Sequence, residues 1–440
     1  MSTVFEKFRQ FRSNADEADY DCREGCFMRL YRNADKLKYE EWINLLTADG
    51  FEILQQTQIN GNLYTCLAGE VIINAFFTPC DGILRVAATE KKLVPCFEKQ
   101  SCEGNGETAF YAFENDQSLI DCGMCLMIQC PDYSFFVVDS GHYFQINDND
   151  RIYKFMRERT PKGQKVVVNG WLLSHAHSDH TSKFMDFLRY NTDDVIIEGI
   201  YSNLIPDTNS AAGHWSVEET LLAAKLFRML DETDIPKYKI HTGQRFYIRN
   251  LCFDVFGTHE DIYPQTVRDY NDSSCMVMLT AEGSRIFIPG DASNLASLEL
   301  TKRYGTALKC DVVQIAHHGH NGLYKEAYEL LDAEVAVFPI TRIKFDEELP
   351  RIEANRRAIE IAKAYYITSD GTVKIPIPYS LEKIEKLPDE TFEDFGKIER
   401  LWGYTYTDER KAELYRLFVE NGGDLITQNL PVRSEGIFEM

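Results

Sequence analysis

The chain has 440 residues, of which 44% are hydrophobic and 26% are charged, and its formal net charge is −22. This balance is typical of folded proteins, and the length favours two or three domains. A surface this acidic repels nucleic acid backbones and anionic membranes. We therefore expect a small-molecule substrate and regard nucleic acid as a disfavoured partner.

The sequence also predicts a cytoplasmic location without membrane association. Its N-terminal segment lacks the apolar stretch of a secretory signal. No run approaches the ~18 apolar residues of a membrane-spanning helix. Twelve cysteines are spread along the chain without the rhythm of a disulfide framework, so we expect reduced thiols.

In chain order, the elements predict three regions. Residues 1–100 contain a helix ending near Gly50 and four strands separated by turns, which indicates a small α+β accessory domain. Residues 107–378 contain two groups of strands with interspersed helices, which predicts an α/β fold of the four-layer αββα type. Residues 379–440 are polar and predicted to form a mainly helical C-terminal extension.

The segment His-Ala-His-Ser-Asp-His follows an apolar strand and places three imidazoles and a carboxylate within six positions. Borderline divalent metals bind nitrogen and oxygen donors of this kind. His175 and His177, two residues apart on an extended chain, can face one ion. Asp179 and His180, where a helix is predicted to begin, can face a second ion.

Three further strand ends carry residues suited to the same site. Asp291 follows an apolar strand and a glycine, and its carboxylate could bridge two cations about 3.5–4 Å apart. His317 and His318 follow another strand, where one could complete the second ion's ligands and the other could contact substrate. Asp139 ends an early strand and is expected to accept a hydrogen bond from a ligand imidazole.

The ordered motifs VVDSG, HAHSDH, IPGD and AHHG resemble those of the metallo-β-lactamase superfamily. The segments NDSSCMVML, RIFIPGD and DVVQIAHHGHNG are more similar to the hydrolase domain of ComEC-type competence proteins and their free-standing relatives. The resemblance spans residues 107–378 and implies a four-layer αββα fold, two metal ions (zinc, or sometimes manganese) and hydrolysis by a metal-bound hydroxide. It assigns ligand roles by position to His175, His177, Asp179, His180, Asp291 and one of His317 and His318.

The sequence departs from this pattern at the third ligand of the first metal, for which it has no clear histidine. Asn271 or Asp272, just before a predicted strand, is the positional candidate. His259 is the nearest histidine, and His214 and His241 are further alternatives. For each of these three histidines, a surface or core position is the expected one.

These observations predict a metal-dependent hydrolase acting on a phosphodiester or similar small ester. Asp179, His318 and His320 are expected to take part in catalysis, with His318 or His320 protonating the leaving group. One alternative is a nuclease acting on single-stranded DNA or RNA, which would need a basic surface strip. The other is a non-catalytic binding protein that the metal stabilises.

Overall fold

The computed structural model describes residues 17–388, except for residues 24, 91–92, 118–119, 146, 206–216, 264 and 266–268. His214 lies outside the described residues, and so does most of the predicted C-terminal extension. The part of that extension that is described forms a 3₁₀ turn at Leu381–Lys383 and a two-residue strand.

The first sheet is antiparallel and has the strand order β1-β2-β6-β5-β4-β3. Helix α1 (Lys36–Ala48) lies on one face, where Tyr39, Trp42 and Leu46 join the sheet's apolar side chains. The helix and strands β3 to β6 confirm the sequence prediction, whereas β1 and β2 were not predicted. Strands β1 to β6 are Glu17–Asp21, Cys26–Tyr31, Glu52–Ile59, Asn62–Ala68, Ile72–Thr78 and Ile83–Thr89.

The second sheet is mixed and contains nine strands among the described residues, in the order β13-β12-β10-β9-β8-β7-β21-β22, with β11 also pairing with β10. Strands β7 to β13 are Thr108–Ala112, Cys125–Gln129, Phe135–Asp139, Val166–Leu173, Val195–Ile197, Ile200–Ser202 and Lys237–Lys239. Strands β21 and β22 are Val373–Ile377 and Glu385–Lys386.

The third sheet has the strand order β14-β15-β16-β17-β18-β19-β20. These strands are Arg245–Ile248, Leu251–Gly257, Met276–Ala281, Ser284–Ile288, Val312–Gln314, Val335–Phe338 and Ala364–Ile367. The remaining helices, α2 to α8, are Asp148–Arg159, Ser178–Tyr190, Val217–Glu232, Asn294–Tyr304, Lys325–Leu331, Arg342–Glu348 and Glu353–Ile361.

One apolar cluster contains side chains of both larger sheets, including Phe136 and Leu172 of the second and Phe253 and Val277 of the third. A second cluster joins the second sheet to helices α2, α3 and α4. A third cluster joins the third sheet to helices α5 to α8. The molecule is therefore a mixed α/β protein in which two sheets share a core and each also packs against helices.

Two apolar segments of the sequence each form two strands instead of one. The segment DVIIEGIYS forms β11 and β12, which pair with successive parts of β10 on either side of a register shift near Gly170. The segment AYYITSDGTVKIPI forms β20 and β21, which belong to different sheets. A 3₁₀ turn and Gly371, with φ of +118°, redirect the chain between them.

The first sheet contacts the remainder of the molecule through specific hydrogen bonds. Thr57 donates to the carbonyl of Gly243 at 2.5 Å, and the Gln55 amide donates to the carbonyl of Arg245 at 2.6 Å. Buried Arg303 pairs with Asp81 of this sheet region and with Asp261. Among the helices in the described part of the chain, none is long and apolar enough to cross a membrane.

Candidate metal centre

The ends of four strands bring the predicted site residues to one place. β10 ends at Leu173 and α3 begins at Ser178, so the short connection carries His175 and His177, and Asp179 lies in the first turn of the helix. The chain enters this connection beside β9, which runs parallel to β10. The parallel pair β17 and β18 delivers Asp291 and the His317–His318 pair just beyond its carboxyl ends.

The backbone at these strand ends adopts unusual conformations. Asp139, His317 and His318 have φ values of +56°, +53° and +56°, a region that non-glycine residues rarely occupy. Such conformations cost free energy and concentrate at functional sites. Gly290, with φ of +59°, passes so close to Ser174 that an added Cβ would lie 3.1 Å from the serine Cβ. The neighbouring strand ends therefore require glycine at this position.

Asp139 is fully buried and holds His180 in a defined orientation. Its Oδ1 accepts from the backbone N–H of Ser174 at 2.8 Å, and its Oδ2 accepts from the Ser174 hydroxyl at 2.6 Å. Nδ1 of His180 lies 2.7 Å from the same Oδ2. Because a carboxylate accepts this bond, Nδ1 carries the hydrogen and the lone pair is on Nε2. This is the placement that the predicted supporting role of Asp139 requires.

His318 is oriented in the same way from the opposite side. Its Nδ1 donates to the carbonyl of Pro339 at 2.8 Å, which leaves the lone pair on Nε2. That atom lies 3.2 Å from Nε2 of His180, 3.0 Å from Oδ2 of Asp179 and 3.3 Å from Oδ2 of Asp291. Nε2 of His180 is 3.1 Å from the same oxygen of Asp291.

Two imidazole lone pairs and two carboxylate oxygens thus face one another, all within 4.8 Å. Such an arrangement is repulsive unless protons or a shared metal cation lie between the atoms. Oδ1 of Asp291 is also buried and has no hydrogen-bond partner. The donor set and this unpartnered oxygen fit a divalent metal ion.

The charges in this group attract positive charge. Burial by itself would lower the pKa of His318, but Asp291 and Asp179 outweigh it and raise the pKa to about 10. The same carboxylates raise the pKa of His180 well above its usual value against the effect of burial. Burial would raise the pKa values of Asp179 and Asp291, but the two histidines outweigh it and hold both well below the usual range. Both carboxylates are therefore ionised at neutral pH.

A second group of donors lies directly beside the first. Nε2 of His175 is 3.1 Å from Nδ1 of His177, and the latter is 2.8 Å from Oδ1 of Asn271. Nδ2 of Asn271 lies 3.2 Å from Nε2 of His317. The rings of His175 and His180 are 4.2 Å apart, centroid to centroid, which joins the two groups.

Two imidazoles of this second group, those of His175 and His317, are neutral at physiological pH. Burial lowers the pKa of His175 well below its usual value, and it lowers the pKa of His317 to about 4. Neutral imidazole is the form that binds metals. The group therefore presents nitrogen and amide-oxygen donors, whereas the first group also contains two carboxylates.

The structure brings all the residues predicted as metal ligands into this one region, where Asn271 lies beside His177. Asp272 instead accepts a hydrogen bond from the Ser293 hydroxyl. His259 and His241 lie elsewhere, bonded to Asn203 and Glu260 respectively. His320 lines the same cavity, with its Nδ1 3.7 Å from Oε1 of Glu348.

Two acidic residues that the sequence analysis missed also reach the site. Glu219, from the start of α4, accepts from the backbone N–H of Ser178 at 2.9 Å and from its hydroxyl at 2.5 Å. Oδ1 of Asp269 lies 3.5 Å from Nε2 of His177. A glutamate near the start of a helix is common, so nothing in the local sequence distinguishes Glu219.

These groups open into a cavity of about 510 Å³. Its volume is within the range of small-molecule sites. Among the described residues that line it, Lys344 is the single lysine or arginine, and its ammonium lies 3.1 Å from Glu348. The lining residues are Asp121, Cys122, His177, Asp179, Glu219, Asn271, Asp291, His317, His318, His320, Asn321, Ile343, Lys344, Glu347, Glu348 and Ile352.

No family model matches the chain. No curated protein matches it significantly. Solved structures with a similar fold include the metallo-β-lactamase fold protein YhfI from Bacillus subtilis, at 12% identity and a TM-score of 0.36, covering 59% of this chain and 96% of that one.

Two others are the diiron β-hydroxylase CmlA from Streptomyces venezuelae and unliganded yeast PDE1. CmlA is 11% identical with a TM-score of 0.38, and the match covers 62% of this chain and 54% of CmlA. Yeast PDE1 is 11% identical with a TM-score of 0.35, and the match covers 60% of this chain and 98% of PDE1. At these levels the matches are a distant likeness and decide neither the family nor the function of this chain.

Proposed function

We propose that this protein is a metal-dependent hydrolase of small phosphodiesters or related esters, built on a four-layer αββα sandwich of the metallo-β-lactamase type. The observation that carries the proposal is the opposed pair of Nε2 atoms of His180 and His318, 3.2 Å apart between Asp179 and Asp291. Each imidazole has its other nitrogen fixed as a donor. The resemblance to ComEC-type hydrolase domains and the cytoplasmic location remain parts of the proposal.

The donors divide between two divalent cations, with zinc favoured and manganese the alternative. His175, His177 and Asn271 would hold one ion, and Asp179, His180 and His318 the other. Asp291, with one oxygen beside His180 and His318 and the other unpartnered, is suited to contact both. Bound cations would lower the pKa of water and stabilise negative charge on an ester oxygen.

The side chains around the donors have separate tasks. Asp179 is ionised and lines the cavity, so it can accept a proton from attacking water. Both ring nitrogens of His318 are engaged, which assigns it to metal binding rather than to proton donation. His320 lines the cavity outside the donor cluster, so we assign it to protonate the leaving group.

Cavity size and charge favour a small substrate with little negative charge. Asp121, Glu219, Glu347 and Glu348 line the cavity with carboxylates, and Lys344 is paired with the last two. A polyanion would be repelled, whereas a diester with one negative charge could be neutralised by the cations.

The nuclease alternative has weaker support. It needs free basic groups, and the segment at residues 154–165, where lysines and arginines cluster in the sequence, uses its arginines internally. Arg157 donates to the carbonyls of Thr160, Pro161 and Gln164. Arg159 stacks on Phe155, 3.5 Å from the ring centroid. These guanidinium groups stabilise a loop instead of forming a strip for a phosphate backbone.

The test is hydrolysis of bis-p-nitrophenyl phosphate by the zinc- or manganese-loaded full chain. We expect turnover by the wild-type protein, loss of turnover in Asp291→Ala, and wild-type rates in Asp194→Ala. Asp194 is a matched control because it pairs with Arg157, at 3.3 Å, and does not line the cavity.

Two outcomes would contradict the proposal. Faster cleavage of a single-stranded oligonucleotide than of small diesters would favour the nuclease. Full metal loading without hydrolysis of any diester, lactone or thioester would favour the non-catalytic, metal-stabilised binding protein.

A further inference from the structure

A second cluster of metal-binding side chains begins at the tip of the hairpin formed by β1 and β2. Cys22 and Cys26 flank this tip, and both are fully buried. Arg23 and Gly25 have φ values of +66° and +70°, which turn the chain tightly enough for the two thiols to contact each other. Neither cysteine is part of the cavity site described above.

His259 faces the hairpin from the turn that follows β15. Its Nε2 lies 2.9 Å from Oδ1 of Asn203, whose Nδ2 donates to the carbonyl of Ile240. The asparagine oxygen is therefore the acceptor, and Nε2 of His259 carries the hydrogen. The remaining nitrogen, Nδ1, is buried with a lone pair and has no hydrogen-bond partner.

Glu260, the next residue, has one oxygen engaged and one free. Oε2 lies 3.0 Å from Nδ1 of His241, while Oε1 is buried without a partner. Ligand atoms of Cys22, His259 and Glu260 lie within 4.8 Å of one another, and so do those of Cys26, His241 and Glu260. Buried polar atoms without partners cost free energy, and adjacent unpartnered acceptors cost more.

We propose that Cys22, Cys26, His259 and Glu260 bind one Zn²⁺ ion, and that His241 orients Glu260 by donating to its second oxygen. Two sulfurs, one nitrogen and one oxygen complete a tetrahedral shell. Binding displaces the two thiol protons to solvent. The ligands then carry three negative charges, which the ion and the ammonium of Lys239, 2.6 Å from the carbonyl oxygen of Cys22, balance.

This site is structural. The cavity that adjoins Glu260 and His241 has a volume of only about 10 Å³, which holds no substrate. The ligands come from the first sheet and from the turn after a strand of the third sheet, so the ion would tie the hairpin to the molecule's main body. Four protein ligands and no open position are characteristic of structural zinc.

The test is the absorption spectrum of the full-length protein after replacement of its metals with Co²⁺. Thiolate ligands give cobalt an intense near-ultraviolet charge-transfer band, and the cavity site has no cysteine among its proposed ligands. We expect this band in the wild-type protein and its loss in Cys22→Ser and Cys26→Ser. Elemental analysis should show one zinc fewer per chain in those variants.

Two controls separate this site from the cavity and from general unfolding. Cys310→Ser removes a buried thiol from another cluster and should keep the band. Cys122→Ser removes the thiol that lines the cavity, so its band should also remain. Asp291→Ala should keep the zinc of the hairpin site even where catalysis is lost.

Measurements on the wild-type protein keep the proposal falsifiable if the variants do not fold. Zinc should protect Cys22 and Cys26 from alkylation, as mapped by mass spectrometry, and a chelator should remove the protection. A Cys22–Cys26 disulfide in protein purified under reducing conditions would overturn the proposal. A metal-loaded protein without the charge-transfer band would overturn it too.

Discussion

The cavity and the hairpin each gather buried histidines and carboxylates, but the two clusters differ in donor type and in access. The cavity group has only nitrogen and oxygen donors and opens into about 510 Å³. The hairpin group adds two thiols and adjoins about 10 Å³. Catalytic metal sites keep a position open for substrate, whereas structural sites are closed by protein ligands. A cluster of ligands alone therefore does not indicate catalysis. The volume of the cavity beside the cluster distinguishes a catalytic site from a structural one.

The clusters should also respond differently to substitution. Changes in the cavity should remove activity, because the proposed ligands would surround the reacting atoms. Changes in the hairpin reduce stability, because its ligands join segments more than 200 residues apart in the sequence. The following substitutions test this division.

The largest expected effect is on catalysis in Asp291→Ala. The variant loses the carboxylate shared by His180 and His318, and kcat/KM for a small diester should fall by about a thousandfold. Steady-state kinetics measure this fall in kcat/KM, with Asp194→Ala as the control. A tenfold or smaller loss at full metal loading would mean that the cavity cluster is not the catalytic centre.

A stability effect of similar size is expected in the hairpin. Loss of a bound metal is among the few changes that destabilise by about 4 kcal/mol, and Cys26→Ser should lower the free energy of unfolding by about this amount. Denaturant unfolding at a fixed zinc concentration measures this decrease, with Cys310→Ser as the control substitution of a buried cysteine. Activity per folded chain should stay close to wild type, and a selective loss of kcat would break the proposed division.

A smaller effect is expected from Asp139→Asn. An amide cannot accept together from the Ser174 N–H, its hydroxyl and Nδ1 of His180, so the imidazole loses its fixed orientation. Removing such a supporting partner typically costs about 10–100-fold in metal affinity or activity. Zinc titration and kinetics should both show the loss. Unchanged affinity would contradict the orienting role.

The smallest effect is expected at the mouth of the cavity. The neighbouring imidazole of His320, with its Nδ1 3.7 Å from Oε1 of Glu348, is the main cause that lowers the pKa of Glu348 to about 2, from a usual value of 4.5. A carboxylate whose pKa is lower in the folded state stabilises the fold at pH values above its pKa in the unfolded state. This contribution is lost as the pH falls toward 2. Because both side chains keep some contact with solvent, with 26% and 15% of their surfaces exposed, Glu348→Gln should cost about 1 kcal/mol at pH 7. Urea unfolding at pH 7 and pH 3 should show that the difference in free energy of unfolding between wild type and Glu348→Gln is smaller at pH 3. A larger difference at pH 3 would contradict this prediction.

The sequence was most informative where ligands are adjacent in the chain. The run from His175 to His180 and the glycine before Asp291 predicted a metal centre at strand ends, and Asn271 was expected from position alone. The structure brings these residues together. Strands β3 to β6 and most strands of the larger sheets were also predicted, because apolar runs there end at clear turns.

Features that depend on distant contacts were not predicted. Glu219 reaches Ser178 across 41 residues, and no local pattern marks it. No local pattern predicts the hairpin of β1 and β2, or the approach of Cys22 and Cys26 to Glu260, which lies more than 230 residues away. His259 and His241 were weighed as ligands of the cavity, but they lie in the other cluster.

The decisive measurement of the proposed two-metal site is anomalous scattering at the zinc absorption edge, from crystals of the active full-length protein. We expect two peaks in the cavity about 3.5–4 Å apart. One should lie among His175, His177 and Asn271, and the other among Asp179, His180 and His318. Active crystals with no anomalous peak among these residues, at this edge or at that of manganese, would contradict the proposed site.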